Sequence, residues 1–210
     1  MRRAAAAALF AAACGLGAAR GAVADPAGEL RGRVSLGVAG VPLAAVAPIV
    51  VYLEPEGGVS AGGAGAQRTV RMRQKDAHFA PSFLVIAVGS TVEMANDDAI
   101  YHNVFSYSRP NDFDLGLYPA GESRKLVLRH PGVVKLYCSI HESMNATILV
   151  TPTRWFDVVD AKGGYALKDV QPGRYRAVVW AERLPGTSRM IEIGAGESEV
   201  LDWVVGSPSS

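Results

Sequence analysis

An all-β fold is what this sequence predicts, and three observations carry the prediction. Short runs rich in Val, Leu and Tyr recur along the chain, bounded by turn signals. Twenty-three glycines and twelve prolines among 210 residues supply those turns. At 49% hydrophobic, the chain can bury one large core or two small ones, with helix a minor component.

Residues 1–24 are set aside first. Met1-Arg2-Arg3 followed by an Ala/Leu/Phe run reads as a secretory signal with cleavage expected after Ala22-Val23-Ala24. The alternatives are a membrane anchor, against which Gly15, Gly17 and Arg20 interrupt the apolar run, and lipidation at Cys14, which lacks the large aliphatic residue expected before it. Export to the periplasm follows, with no stable membrane span after signal removal. The remaining chain carries 18 basic against 20 acidic residues, a balance that argues against a nucleic-acid partner. It also keeps one cysteine, Cys138, and therefore has no internal disulfide. A lone thiol sent to an oxidising compartment calls for a reason, and metal coordination supplies one.

Glu29–Leu36 alternates well enough for a strand, and Pro48–Pro55 reads as another. Residues 57–66, Gly-Gly-Val-Ser-Ala-Gly-Gly-Ala-Gly-Ala, cannot bury a core and read as a flexible linker. From Arg68 to Thr151 the strand signals crowd together, as in a sandwich or barrel. They fall at 69–72, 83–88, 91–94, 103–107, 124–128, 133–138 and 146–150, with turns at Gly89-Ser90 and Pro131-Gly132. Asn96-Asp97-Asp98 and Pro110-Asn111-Asp112 read as loops. Further strands are expected at 155–159, 165–167, 174–180, 190–193 and 200–205, before a tail at 206–210 that should fray. In Val133–Cys138, period two puts Val134, Leu136 and Cys138 on one face and Lys135 on the other, so the sulfur should point inward at a strand end.

Chemistry concentrates in Tyr137-Cys138-Ser139-Ile140-His141-Glu142-Ser143-Met144, where thiol, imidazole and thioether recur every third residue. A second imidazole lies upstream in Tyr101-His102-Asn103-Val104-Phe105. Two imidazoles, a thiolate and a weak thioether form a copper set of the electron-transfer kind. Zinc fits less well because thioether is a poor ligand for it. Alone, an inward Cys or a loop Met is ordinary packing; the joint pattern is what speaks for metal. His78 and His130 read as surface or structural, and Asp97-Asp98 and Asp112/Asp114 as solvated loops. A Cys138/His141 nucleophile pair would leave Met144 without a role and has no oxyanion hole nearby.

The stretch from about Arg68 to Thr151 resembles the cupredoxins, small blue copper proteins of the plastocyanin and amicyanin kind. The matching pieces are Gly89-Ser90-Thr91-Val92, Asn96-Asp97-Asp98, His102-Asn103-Val104, Pro131-Gly132 and the 137–144 segment. The resemblance implies a Greek-key sandwich holding one copper ion, with His102, Cys138 and His141 as strong ligands and Met144 on the axis. It further implies that Asn103 fixes the ligand loop by hydrogen bonding. Met94 departs from the aromatic residue the family often carries before its Asn, a matter of packing.

The flanks, Gly32-Arg33-Val34, Val50–Leu53, Asp160–Tyr165 and Val170–Tyr175, resemble the two halves of a carboxypeptidase regulatory-like domain, a small transthyretin-like β-sandwich. That resemblance implies a discontinuous domain of residues 28–56 and 153–205 interrupted by a cupredoxin domain at 67–152. The alternative is a tandem order with 28–56 in the cupredoxin sheet. The function implied is a non-enzymatic periplasmic carrier of single electrons, docking redox proteins transiently near His141 through a patch of Ile140, Met144, Tyr118 and Pro119. The alternatives are a copper-binding or delivery protein without electron transfer and a non-redox interaction module.

Overall fold

The computed structural model describes residues 25–57 and 68–206. The expected signal segment with Cys14, the linker beyond Gly57 and the tail beyond Gly206 lie outside the described residues. The chain opens with β1 (Gly28–Leu36) and β2 (Ile49–Pro55). Then come β3 (Thr69–Lys75), β4 (His78–Ala80), β5 (Phe83–Ala87), β6 (Thr91–Asn96), β7 (His102–Ser106), β8 (Phe113–Tyr118), β9 (Ser123–Val127), β10 (Gly132–Tyr137) and β11 (Asn145–Thr151). The last third contributes β12 (Phe156–Val158), β13 (Gly164–Val170), β14 (Gly173–Ala181), β15 (Leu184–Ile193), β16 (Ser198–Val200) and β17 (Trp203–Val205). The fold is all-β, as the turn-bounded apolar runs predict. Among the described residues no helix is long and apolar enough to cross a membrane.

The strands gather around two hydrophobic clusters. The first is formed by β1, β2 and the strands from β12 onward, with Leu30, Leu53, Leu167, Ala177, Val179 and Trp203 at its centre. One of its sheets runs β13-β1-β16, with β17 also on β1; the other runs β12-β2-β14-β15. In β2 against β14 the register places Tyr52 opposite Val178 and Val50 opposite Trp180. Along β14, Tyr175, Ala177, Val179 and Ala181 are buried while Arg174 and Arg176 face out, the period-two pattern of a sheet with one covered face.

The second cluster lies between the sheets β4-β3-β6-β9 and β5-β11-β10-β7-β8. Val134, Leu136 and Cys138 all point into it, at 0%, 0% and 5% exposure, as the alternation requires. Met72, Met94, Ile148 and Met144 fill the remaining space, and each such side chain contributes about 1.5–3 kcal/mol by leaving water. The turn before β6 depends on Gly89, whose φ of +84° is one that side chains disfavour. Its N–H donates to Leu128 O at 2.7 Å.

Two strands of this sandwich, β4 and β8, are not among the expected ones. In β8 the apolar alternation is broken at Gly116, whose φ is +66°, and the β7–β8 register slips between Asn103 and Phe105. The slip sends Leu117 outward and Tyr118 inward, the phase change a bulge produces. Tyr118 is therefore core, 0% exposed, with its hydroxyl donating to Met94 O at 3.2 Å and accepting from Gln74 Nε2.

The two clusters meet along β11 and β14. Phe83 stacks on Trp180 with ring centroids 5.6 Å apart and planes within 8°. Lys135 Nζ donates to Thr147 Oγ1 at 2.9 Å and pairs with Glu182, which also accepts from Thr147 Oγ1 at 2.7 Å. Thr153 Oγ1 donates to Leu53 O at 2.7 Å. These contacts explain why β2 and β11 read as near-continuous apolar runs: Val50 and most of β11 are covered on both faces.

Candidate metal centre

Three side chains converge at one end of the second sandwich. A ring nitrogen of His102, the sulfur of Cys138 and a ring nitrogen of His141 all lie within 4.8 Å of one another. His102 opens β7, Cys138 follows the last residue of β10, and His141 lies on the loop into β11. The elements are joined by pairing: Tyr137 of β10 stands opposite Phe105 of β7. The two histidines, 39 positions apart, thus come within 5.0 Å between ring centroids.

His102 is fully buried and its ring is oriented from behind. Nε2 lies 3.0 Å from Asp98 Oδ2, and an ionised carboxylate only accepts, so the proton sits on Nε2. Nδ1 is thereby left unprotonated and faces Cys138 Sγ at 3.8 Å. Asp98 accepts from the backbone N–H of Ala77 at 2.9 Å, and this bond, the His102 ring and the Ala99 N–H hold its carboxyl down at about 2. A carboxylate behind a ligating imidazole fixes both its tautomer and its direction.

The segment bearing Asp98 is built by Asn96, a buried side chain. Its amide donates to Ile100 O at 2.8 Å and Tyr118 O at 3.1 Å, and its carbonyl accepts from Asp98 N at 3.1 Å. Asp97-Asp98 is thus more than a solvated loop. The signal in the sequence is the Asp98/His102 spacing of four, which becomes meaningful only once the Asn96 turn folds the segment back.

Cys138 is set by opposing effects. Burial pushes its thiol up, but bonds to sulfur from the Asn103 and Ile140 N–H groups, the His102 ring and the His141 N–H outweigh it. The thiol is held well below its ordinary value, at about 6. Asn103 ties the loop to β7: its Oδ1 accepts from Ser139 N at 2.8 Å and Ser139 Oγ at 2.9 Å, the bond that the cupredoxin resemblance implies. Met144 N donates to His141 O at 3.0 Å, and this turn brings Met144 back into the interior at 1% exposure.

His141 Nδ1 is buried and has no hydrogen-bond partner among the described residues. Such an orphaned nitrogen costs about 1–3 kcal/mol when left unmet, and it belongs to a ring that reaches the Cys138 sulfur and a nitrogen of His102 within 4.8 Å. A soft thiolate with two imidazoles, in an apolar setting that includes a thioether, fits one copper ion. His141 is half-buried, Ile140 is 51% exposed, and Met144 and Tyr118 are buried. Of the expected docking patch, Met144 and Tyr118 are therefore excluded. The exposed apolar side chains on the segments flanking the ligands include Ile100, Tyr101, Leu117, Tyr137 and Ile140. His78 and His130 are exposed, away from the cluster.

No protein-family description matches the chain, and no curated protein matches it. Among solved structures it is similar to a purple cupredoxin from Nitrosopumilus maritimus, at 26% identity over 39% of this chain and 99% of that one, with a TM-score of 0.36. It is similar to a reduced point mutant of amicyanin at 17% identity, covering 48% of this chain and 98% of that one, with a TM-score of 0.38. A copper-containing nitrite reductase from Thermus scotoductus SA-01 is 21% identical over 57% of this chain and 28% of that one, with a TM-score of 0.39.

Proposed function

We propose that this chain is a periplasmic type 1 copper protein that carries single electrons between redox partners. In this reading His102, Cys138 and His141 are the strong ligands and Met144 the axial one. The observation that carries it is the convergence of two imidazole nitrogens and a buried thiol within 4.8 Å, with the buried His141 Nδ1 having no partner of its own. Copper, when bound, supplies one-electron cycling between Cu(I) and Cu(II).

The protein's part is to hold the donors still. Asp98 keeps the His102 proton on Nε2, the N–H groups around Cys138 keep the sulfur ionised, and Asn103 anchors the loop through Ser139. A donor set fixed from outside in this way changes little when the charge at its centre changes, which keeps reorganisation small. His141, half-buried beside exposed Ile140, is the ligand nearest a partner. Electron carriers make small, transient contacts, and this apolar rim suits one.

The same reading divides the chain into a cupredoxin domain at 67–152 set within a transthyretin-like sandwich of residues 28–56 and 153–205. Pairing of Val50–Leu53 with Ala177–Trp180 supports that division over a tandem order. The deciding experiment is the visible and electron spin resonance spectrum of the copper-loaded protein with its voltammogram. An intense thiolate-to-copper band and a reversible wave are expected. A colourless Cu(I) product that passes its metal to an acceptor would establish copper delivery instead, and failure to bind copper would leave an interaction module.

A further inference from the structure

A cleft of about 390 Å³ lies at the junction of the two sandwiches, remote from the candidate metal centre. Its walls come from β5, from Phe156 of β12, from the end of β13 and from the residues entering β3. Along β11, which pairs with β5, Val150 opposite Ile86 lies five positions on from Asn145 at the ligand loop, about 17 Å at strand rise.

Three cations line it: Arg68, Arg154 and Lys168. None of them takes part in an ion pair among the described residues. The acid at the cleft is Asp169, next in sequence to Lys168. Unpaired cations on an open surface are ordinary, but Arg154 is not free to move. Its Nη2 donates to Asp169 O at 3.2 Å, and its guanidinium lies 5.6 Å from the centre of the Trp155 ring. Trp155 is fixed in turn by Nε1 donating to the same carbonyl at 2.8 Å. Arg154 Nε is buried with no hydrogen-bond partner among the described residues. A buried guanidinium donor left unmet is uncommon in folded proteins and asks for an acceptor. The planar guanidinium, held by one of its five donors, matches a carboxylate or phosphate group.

Beside the cations the cleft has an aromatic and aliphatic wall that includes Phe156 and Ile86. Concave sites at the meeting of two folded units, apolar with a few convergent polar groups, are where small ligands bind. We propose that this cleft binds a small organic anion, its carboxylate or phosphate group held by Arg154, Lys168 and Arg68 and its apolar body against Phe156. The site touches both sandwiches and requires no copper.

Calorimetric titration of the full chain with benzoate and with phenyl phosphate, against neutral benzyl alcohol, tests this. At least one anion should bind saturably, the tighter of the two naming the head group, and benzyl alcohol should not. Lys168→Gln, at an exposed position, and Arg154→Gln should each weaken the anion by about tenfold or more, with the near-ultraviolet circular dichroism of each variant unchanged. His102→Ala should bind the anion as the parent does, which separates this site from the metal centre. Binding unaffected by both cleft variants, equal binding of benzyl alcohol, loss of binding in His102→Ala, or no saturable binding of either anion would overturn the proposal.

Discussion

Asp98 Oδ2 stands 3.0 Å from His102 Nε2, so an acid four residues ahead of the imidazole decides which of its nitrogens is free. Replacing Asp98 with Ala should leave the donors in place but release the ring's tautomer and direction. Copper affinity measured by chelator competition is then expected to fall about 10–100-fold. Affinity equal to the parent's would show that Asp98 does not position the ligand.

The four proposed ligands should not be equivalent. Cys138→Ser and His102→Ala are expected to remove the blue band, because each deletes a strong donor. Met144→Leu should keep copper and colour, and its reduction potential should rise, since losing a weak donor disfavours Cu(II) more than Cu(I). A blue band surviving in Cys138→Ser would refute the sulfur assignment.

The thiol also predicts a pH dependence for the metal-free protein. Cys138 is held at about 6 in the fold, below the ordinary thiol value of about 8.5. A lowered value means the thiolate is what the fold stabilises. That contribution is complete above the unfolded value and disappears as pH falls through about 6. Urea midpoints of the metal-free protein should therefore rise from about pH 6 to about pH 9, and this rise should shrink in Cys138→Ser. Thiolate absorbance in the ultraviolet should appear near the same lower pH.

At the junction, the aromatic stack should matter more than the ion pair. Lys135 and Glu182 have side chains 42% and 30% exposed, where solvent screening leaves about 0–1 kcal/mol. The Phe83–Trp180 stack contributes about 0.5–1.5 kcal/mol beyond its buried area. Trp180→Ala should therefore lower the urea midpoint more than Glu182→Gln. The Glu182 carboxyl is held below its usual range by Lys135 and Thr147, so its small contribution is lost on acidification, and Glu182→Gln should remove that fraction of the acid sensitivity.

Gly32 offers a test of close packing. A Cβ there would sit 2.0 Å from the carbonyl oxygen of Leu201, where the link between β16 and β17 bonds to Arg31. Backbone is the obstacle, so no side-chain adjustment relieves it. Gly32→Ala should cost about 1–3 kcal/mol, seen as a fall in Tm of about 2–4 °C for each kcal/mol.

Local chemistry was legible in the chain itself. The spacing of Cys138, His141 and Met144, the inward face of Val134 and Leu136, and the turn at Gly89-Ser90 depend on residue type and on period two, both written in sequence; Pro131-Gly132, expected as a turn, instead leads into β10. The all-β class follows from the same alternation.

What lies far apart in sequence was decided only by the tertiary structure. Alternation says which face a side chain takes but not what covers that face, nor which strand lies alongside. That His102 meets Cys138, 36 residues on, depends on the sheet order that seats β10 beside β7. Tyr118 turned inward because one glycine at positive φ shifted the phase of β8, and no apolar pattern records a bulge. Asp98 looked like any loop acid until the Asn96 turn carried it behind His102. Trp180 acquired part of its cover from Phe83 of the second sandwich. In each case the deciding contact joins segments that only the packed sheets bring together, while the thiol, imidazoles and thioether that draw attention first are a property of the sequence alone.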